Sequence, residues 1–142
     1  MRKISRYKRE GFTLVEILVV VVILGMLAAL VIPQVVGQGE DAKRTAAMVQ
    51  IQAIEQALDI YRLHNGFYPT TEQGLEALVT KPTTNPQPKK YVEGGYMKKV
   101  PMDPWGNPFI YRSPGDKNLI DIISCGPDGD EGSGNNITNH DP

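Results

Sequence analysis

The sequence predicts an α+β protein: a long N-terminal helix carrying a small head with a short helix, a β-hairpin and an acidic, glycine-rich C-terminal loop. Three observations carry this. Every residue from Ile17 to Ile32 is apolar or glycine. Ala47, Ile51, Ile54, Leu58 and Tyr61 then recur at spacings of 4, 3, 4 and 3, which places them on one face of a helix. Beyond Gly66 the chain is broken by prolines and glycines around two short β-rich runs.

The 142 residues include 15 Lys or Arg and 16 Asp or Glu, for a net charge of -1, but the charge is unevenly placed. Arg2, Lys3, Arg6, Lys8 and Arg9 precede Phe12 with one acid, Glu10. The remainder keeps ten basic and fifteen acidic residues, a net of -5. An acidic outer part lacks the basic face that nucleic acid requires, so no nucleic-acid partner is expected. Basic residues beside an apolar span stay cytoplasmic, which puts the N-terminus inside and the head outside. The single Cys125 excludes an intramolecular disulfide and reads as a small buried apolar side chain.

The apolar segment 12–36 is about 25 residues, or ~37 Å of helix, enough to cross a ~30 Å hydrocarbon core with tilt. A cleavable secretory signal is the plainer reading of such a run. The run is long for one, however, and Glu16 sits in its first third. A charge in hydrocarbon costs a few kcal/mol on insertion scales, and such residues usually have a partner. A cut after Gly11 would expose the amine of Phe12 one turn from Glu16. Within one chain that amine is poorly placed; between copies staggered along their helices it can meet the next Glu16. The plainer alternative is a glutamate that snorkels to the headgroups.

"GFTLVE" behind a basic leader and before an apolar helix resembles the type IV prepilin signal. The resemblance implies removal of residues 1–11 between Gly11 and Phe12 by a membrane-embedded aspartic prepilin peptidase, then N-methylation of Phe12. It also implies that Phe12 and Glu16 serve assembly.

Pro33, Gly37 and Gly39 are expected to interrupt the first helix, with Glu40 and Asp41 opening a second. Segment 33–39 is then a weak joint that bends or melts when subunits pack, or a plain juxtamembrane linker. The outer half, 37–66, ends at "HNG", where Gly66 suits a left-handed cap. The head, 67–142, opens with "YPTTEQGLEALV", in which Thr70 and Gln73 form a capping-box pattern before a short helix with Leu75, Leu78 and Val79 inward. Pro82, Pro86 and Pro88 make 81–90 a loop. Phe109–Arg112 and Leu119–Ser124 read as strands of a hairpin joined by "SPGDKN". "DPWG" is a turn from which Trp105 folds back on the apolar surface.

"YPTTEQGLEAL", "GGYMKKVPMDPWGNPF" and "SCGPDG", in this order, resemble the major pseudopilins of type II secretion systems over nearly the whole chain. That resemblance implies a single-pass inner-membrane protein, N-terminus cytoplasmic and head periplasmic. It implies self-assembly into a short periplasmic filament that grows from an inner-membrane platform, includes minor pseudopilins, and helps push folded proteins through an outer-membrane secretin.

"CGPDGDEGSGNN" gathers carboxylates, a hydroxyl and amides in a flexible loop, which suits Ca²⁺ and not Zn²⁺, but equally suits a solvated acidic tip. It is not an EF-hand: counted from Asp128, the sixth position is Ser133 and the twelfth Asn139. The pseudopilin resemblance implies a calcium site at Asp128, Ser133, Asn135 and Asn136, with the carbonyls of Cys125 and Asp130. Asn135 and Asn136 stand where the pattern usually carries at least one aspartate, which implies a weakened site unless Asp130, Glu131 or Asp141 supplies charge.

No Walker loop or dinucleotide fingerprint is present, and His64 and His140 read as surface residues with no nucleophile to serve. An enzyme is not expected. A type IV pilin or DNA-uptake pseudopilin would share the N-terminal signal, but typically closes its C-terminal loop with a disulfide, which one cysteine forbids. A monomeric anchored domain with its leader intact would leave Glu16 without a partner.

Overall fold

The computed structural model describes residues 11–141, with side chains described throughout except over 30–38. The basic leader before Gly11 lies outside the described residues. Contacts divide the chain into two units, Met1–Gly39 and Glu40–Pro142.

Helix α1 runs over Leu14–Asn65. Thr13 caps it: its hydroxyl accepts from the Glu16 N–H at 3.2 Å, and its own N–H donates to Glu16 Oε2 at 3.4 Å. This reciprocal pair is a capping box, which satisfies two backbone donors that a helix N-terminus otherwise leaves open. The expected interruption at Pro33–Gly39 is not found as a break in the helix. A proline removes one internal hydrogen bond, and the bonds on either side can carry the helix past it. The expectation that segment 33–39 bends or melts when subunits pack falls on side chains that, over 33–38, lie outside the described residues. In the first unit the described apolar side chains are exposed, from Phe12 at 78% to Leu27 at 55%. Among the described residues no helix is long and apolar enough to cross a membrane.

In the second unit α1 buries the expected stripe: Ala47, Ile51, Ile54, Leu58 and Tyr61 are each at most 2% exposed. Full burial of such a side chain stabilises by roughly 1.5–3 kcal/mol, so this face organises the head. The helix ends as the sequence predicts. Gly66 adopts a positive φ of 84°, and its N–H donates to the Arg62 carbonyl at 2.6 Å.

The capping box at Thr70 and Gln73 also forms, with reciprocal bonds of 3.1 and 3.2 Å. It leads into one 3₁₀ turn, Leu75–Leu78, rather than an α-helix. Leu75 and Leu78 are buried as expected, with Ala77 between them, while Val79 is only half-buried. The following loop returns onto this turn. The N–H groups of Tyr96 and Met97 both donate to the Leu78 carbonyl.

The expected hairpin forms from β1, Ile110–Arg112, and β2, Asp121–Ser124, paired antiparallel with Tyr111 opposite Ile122. A third strand, β3 at Ile137–Thr138, was not expected; it pairs antiparallel with β2, making β2 central. All four β2 residues are therefore buried. Tyr111 fastens the sheet to the segment before the 3₁₀ turn by donating to the Pro69 carbonyl at 2.8 Å. Trp105 packs against the core as predicted, and its indole N–H donates to Glu40 Oε2 at 3.0 Å.

Candidate functional site

Two places carry the chemistry that the sequence singles out, one in each unit. At the N-terminal end, Gly11 and Phe12 are exposed and precede the helix, with open space around Gly11. An exposed peptide bond is what a peptidase needs. Glu16 is exposed, and its carboxylate is engaged locally by the Thr13 N–H. The sequence reading overlooked that role, although the signal, Thr13-x-x-Glu16, was present.

The C-terminal loop is built from two limbs. The first, Gly126–Asp128, is a 3₁₀ turn closed by Gly129 in the left-handed region. The second, Glu131–Ser133, is another such turn, capped by the Asp130 side chain, which accepts from the Gly132 N–H at 3.0 Å. The limbs meet where Gly126 faces Asn135. A Cβ on Gly126 would lie 2.7 Å from the Asn135 carbonyl oxygen, and its φ of +68° also favours glycine. Here the Asn135 amide also donates to Asp128 Oδ2.

Of the predicted ligands, Asp128, Asn135 and the Asp130 cap thus lie within one loop. The Ser133 hydroxyl accepts from the Asn135 N–H at 3.3 Å. Asn136 donates from its amide nitrogen to the Glu131 carbonyl at 2.7 Å, while its Oδ1 is buried with no hydrogen-bond partner. A buried acceptor without a donor has given up its water without compensation, which is costly, and a cation could satisfy it. The Asn136 amide, the Asp128 carboxylate and the Ser133 hydroxyl all offer oxygen, the ligand type that calcium takes. Among the described residues no three or more His, Cys, Asp or Glu side chains gather to hold a metal ion. Asp128 is the one carboxylate among the side-chain ligands that the family pattern names here. Of the three acids that the sequence offers as further charge, Asp130 caps the second turn, Glu131 pairs with Arg112 at 2.7 Å, and Asp141 accepts from the Thr138 N–H at 2.7 Å.

Cys125 is a free, buried thiol, as predicted. Burial, and then the carboxylates of Glu131, Asp103 and Asp130, push its pKa above the usual thiol value, which keeps it protonated and unreactive. His64 is exposed. His140 corrects the sequence reading: it is half-buried, and its Nε2 lies 2.6 Å from Asp121 Oδ1. β3 carries the tail across the sheet to the start of β2, a contact that spacing along the chain does not announce.

Residues 34–140 match the family model for type II secretion system (T2SS), protein G, and residues 6–32 match that for the prokaryotic N-terminal methylation motif. The chain belongs to the type II secretion system protein G family. The methylation-motif match contains Gly11, Phe12, Thr13 and Glu16, and the protein G match contains every predicted metal ligand. The type II secretion system core protein G of Pseudomonas aeruginosa is 58% identical over 132 residues, spanning 93% of each chain. That of Escherichia coli K12 is 49% identical over 132 residues, 93% of this chain and 91% of its own. The crystal structure of the major pseudopilin from the type 2 secretion system of enterohaemorrhagic E. coli superposes with a TM-score of 0.69 at 46% identity, covering 73% of this chain and 91% of that one. The family read from the sequence is the one these matches give, and the small α+β head is similar to that of a major pseudopilin.

Proposed function

We propose that this chain is the major structural subunit of a type II secretion pseudopilus. It polymerises into a periplasmic filament that drives export of folded proteins through the outer-membrane secretin. The carrying observation is the adjacency of the two family matches, methylation motif over 6–32 and protein G over 34–140, in one chain. The likeness to a major pseudopilin over the head supports it. In this reading the chain has no catalytic role. The type IV pilin and DNA-uptake alternatives are not favoured, since the full-length relatives are secretion proteins.

In detail, prepilin peptidase removes residues 1–11 and Phe12 becomes N-methylated. Segment 12–36 holds the subunit in the inner membrane, N-terminus cytoplasmic and head periplasmic, before it joins the assembly platform. The Phe12 amine of one copy then neutralises Glu16 of the next. Minor pseudopilins share the filament. Calcium binds the C-terminal loop through Asp128, Ser133, Asn135, Asn136 and the carbonyls of Cys125 and Asp130. When bound it supplies positive charge that ties the two limbs of that loop together; the residues themselves order its backbone through the caps described above.

Mass spectrometry of the chain extracted from membranes of a host with prepilin peptidase tests the processing step. The expected N-terminus is N-methylated Phe12. An intact Met1 terminus in protein that still supports secretion would remove cleavage from the account.

A further inference from the structure

Side chains outside the C-terminal loop hold both backbone polar groups of Gly126, whose carbonyl also accepts the Gly129 N–H at 3.3 Å within the loop, and both outside holds lead to one buried carboxylate. The Gly126 N–H donates to Ser124 Oγ at 3.3 Å, and the Ser124 hydroxyl donates to Asp103 Oδ2 at 2.7 Å. The Gly126 carbonyl accepts from Asn107 Nδ2 at 3.2 Å, and the Asn107 N–H donates to Asp103 Oδ1 at 2.7 Å. The same Oδ1 accepts the Trp105 N–H at 3.1 Å. Asp103 is 4% exposed and Ser124 is fully buried, so this network is shielded from competition by water.

Gly126 is also where the first limb of the loop touches the second, at Asn135. Whatever fixes Gly126 therefore fixes the spacing between Asp128 and the Asn135–Asn136 pair. A site with one ligating carboxylate side chain has little charge to draw a cation in. Its affinity then depends on how little its ligands must reorganise on binding.

We propose that Asp103, acting through Ser124 and Asn107, is the positioning residue that pre-organises the C-terminal loop for its cation. The inference rests on the calcium reading above. It adds that affinity is set by a turn 18 to 22 residues upstream of the first ligand, Cys125, in the segment "DPWGN". It also makes Trp105, the sole tryptophan, a built-in reporter, because its backbone N–H hangs on the same carboxylate and its ring packs on the core. Sequence spacing alone cannot suggest this, since the bonds span 19 to 21 residues.

The test uses the full chain in detergent, with calcium chloride titrated after chelation and with magnesium as control. Binding is read by calorimetry, tryptophan emission and the thermal midpoint. Asn107→Ala removes one hold on Gly126 without touching a ligand or leaving a buried charge. It is expected to bind calcium about tenfold more weakly, while its midpoint in chelator stays near that of the parent. Asp103→Asn, which keeps an acceptor for the two N–H groups but misplaces the Ser124 bond, is expected to weaken binding as well and to blunt the emission change. Parent-like calcium affinity in a folded Asn107→Ala chain overturns the positioning role while leaving the calcium site in place. No calcium response in the parent chain overturns both. Should Asp103→Asn fail to fold, Asn107→Ala alone decides.

Discussion

His140 Nε2 sits 2.6 Å from Asp121 Oδ1, while the other oxygen of the same carboxylate accepts the Asp116 N–H at 2.7 Å. This ties the C-terminal tail and the β1–β2 turn to the first residue of the central strand. Burial raises the Asp121 pKa, but the Asp116 N–H, the His140 bond and charge, and the Arg112 guanidinium outweigh it, so the net shift is downward. A depressed carboxylate contributes stability above its unfolded pKa, about 3.9, and that contribution is lost as pH falls through the lower folded value. Acid unfolding monitored by circular dichroism should therefore lose part of its steepness below about pH 4 in Asp121→Asn. An unchanged acid transition would show that the pair carries no linkage.

At the alkaline end the sign reverses. Burial first, with Tyr96 and Tyr91 nearby, pushes the Tyr61 pKa up to about 12, and burial raises that of Tyr111 as well. The neutral phenols are favoured when folded, so their contribution is whole below about pH 10 and drains away as pH rises toward the folded values. Tyr61→Phe should flatten the alkaline limb of the stability profile between about pH 10 and 12. A parent-like limb would contradict this.

Leu58 is fully buried at the centre of the helix stripe, whereas Val49 on the same helix is 60% exposed. Leu58→Ala should cost roughly 2–5 kcal/mol by urea unfolding, and Val49→Ala should fall within about 0.5 kcal/mol of the parent. Similar costs at both positions would mean that the stripe does not organise the head.

Gly94 and Gly95 share positive φ values of 85° and 79°, but only Gly95 is crowded. A Cβ there would lie 2.7 Å from the carbonyl oxygens of both Leu78 and Val79, in backbone that cannot swing aside. Gly94→Ala should pay the left-handed penalty alone, about 1–2 kcal/mol, and Gly95→Ala clearly more. Equal costs would remove the close approach of this loop to the 3₁₀ turn.

Much of the head was legible because its signals are local. The 4-3-4-3 stripe, the Thr70–Gln73 capping box, the Gly66 cap and the two β-rich runs each sit within a short window, and each was found where expected. What escaped notice depends on distant chain. β3 is two residues long, too short for an alternating pattern, and exists because β2 offers it an edge. The Asp103 network and the His140–Asp121 pair join residues 19 to 21 apart through the folded sheet. Thr13 is a different case: its capping box with Glu16 is local and legible in the spacing Thr13-x-x-Glu16, but a charge in an apolar run is the stronger signal and points to a partner in another chain.

Those two roles of Glu16 separate by mutation. Thr13→Ala removes the hydroxyl side of the cap and keeps the carboxylate, whereas Glu16→Ala removes the carboxylate and its bond to the Thr13 N–H but keeps the bond from the residue-16 N–H to the Thr13 hydroxyl. If Glu16 pairs with Phe12 of a neighbour, Glu16→Ala should leave cleavage after Gly11 intact yet abolish assembly, and Thr13→Ala should still assemble. Equal loss in both variants would reduce Glu16 to a helix cap.

The most direct measurement is made in a strain whose own major pseudopilin has been deleted and which expresses this chain. Filament assembly in the periplasm, read by cross-linking of the chain to itself in intact cells, and the culture medium are assayed together. The expected result is filaments built of the cleaved chain, with folded exoprotein restored to the medium and both lost in Glu16→Ala. A chain that is processed and stably inserted, yet stays monomeric while exoproteins remain in the periplasm, would contradict its role as the filament subunit.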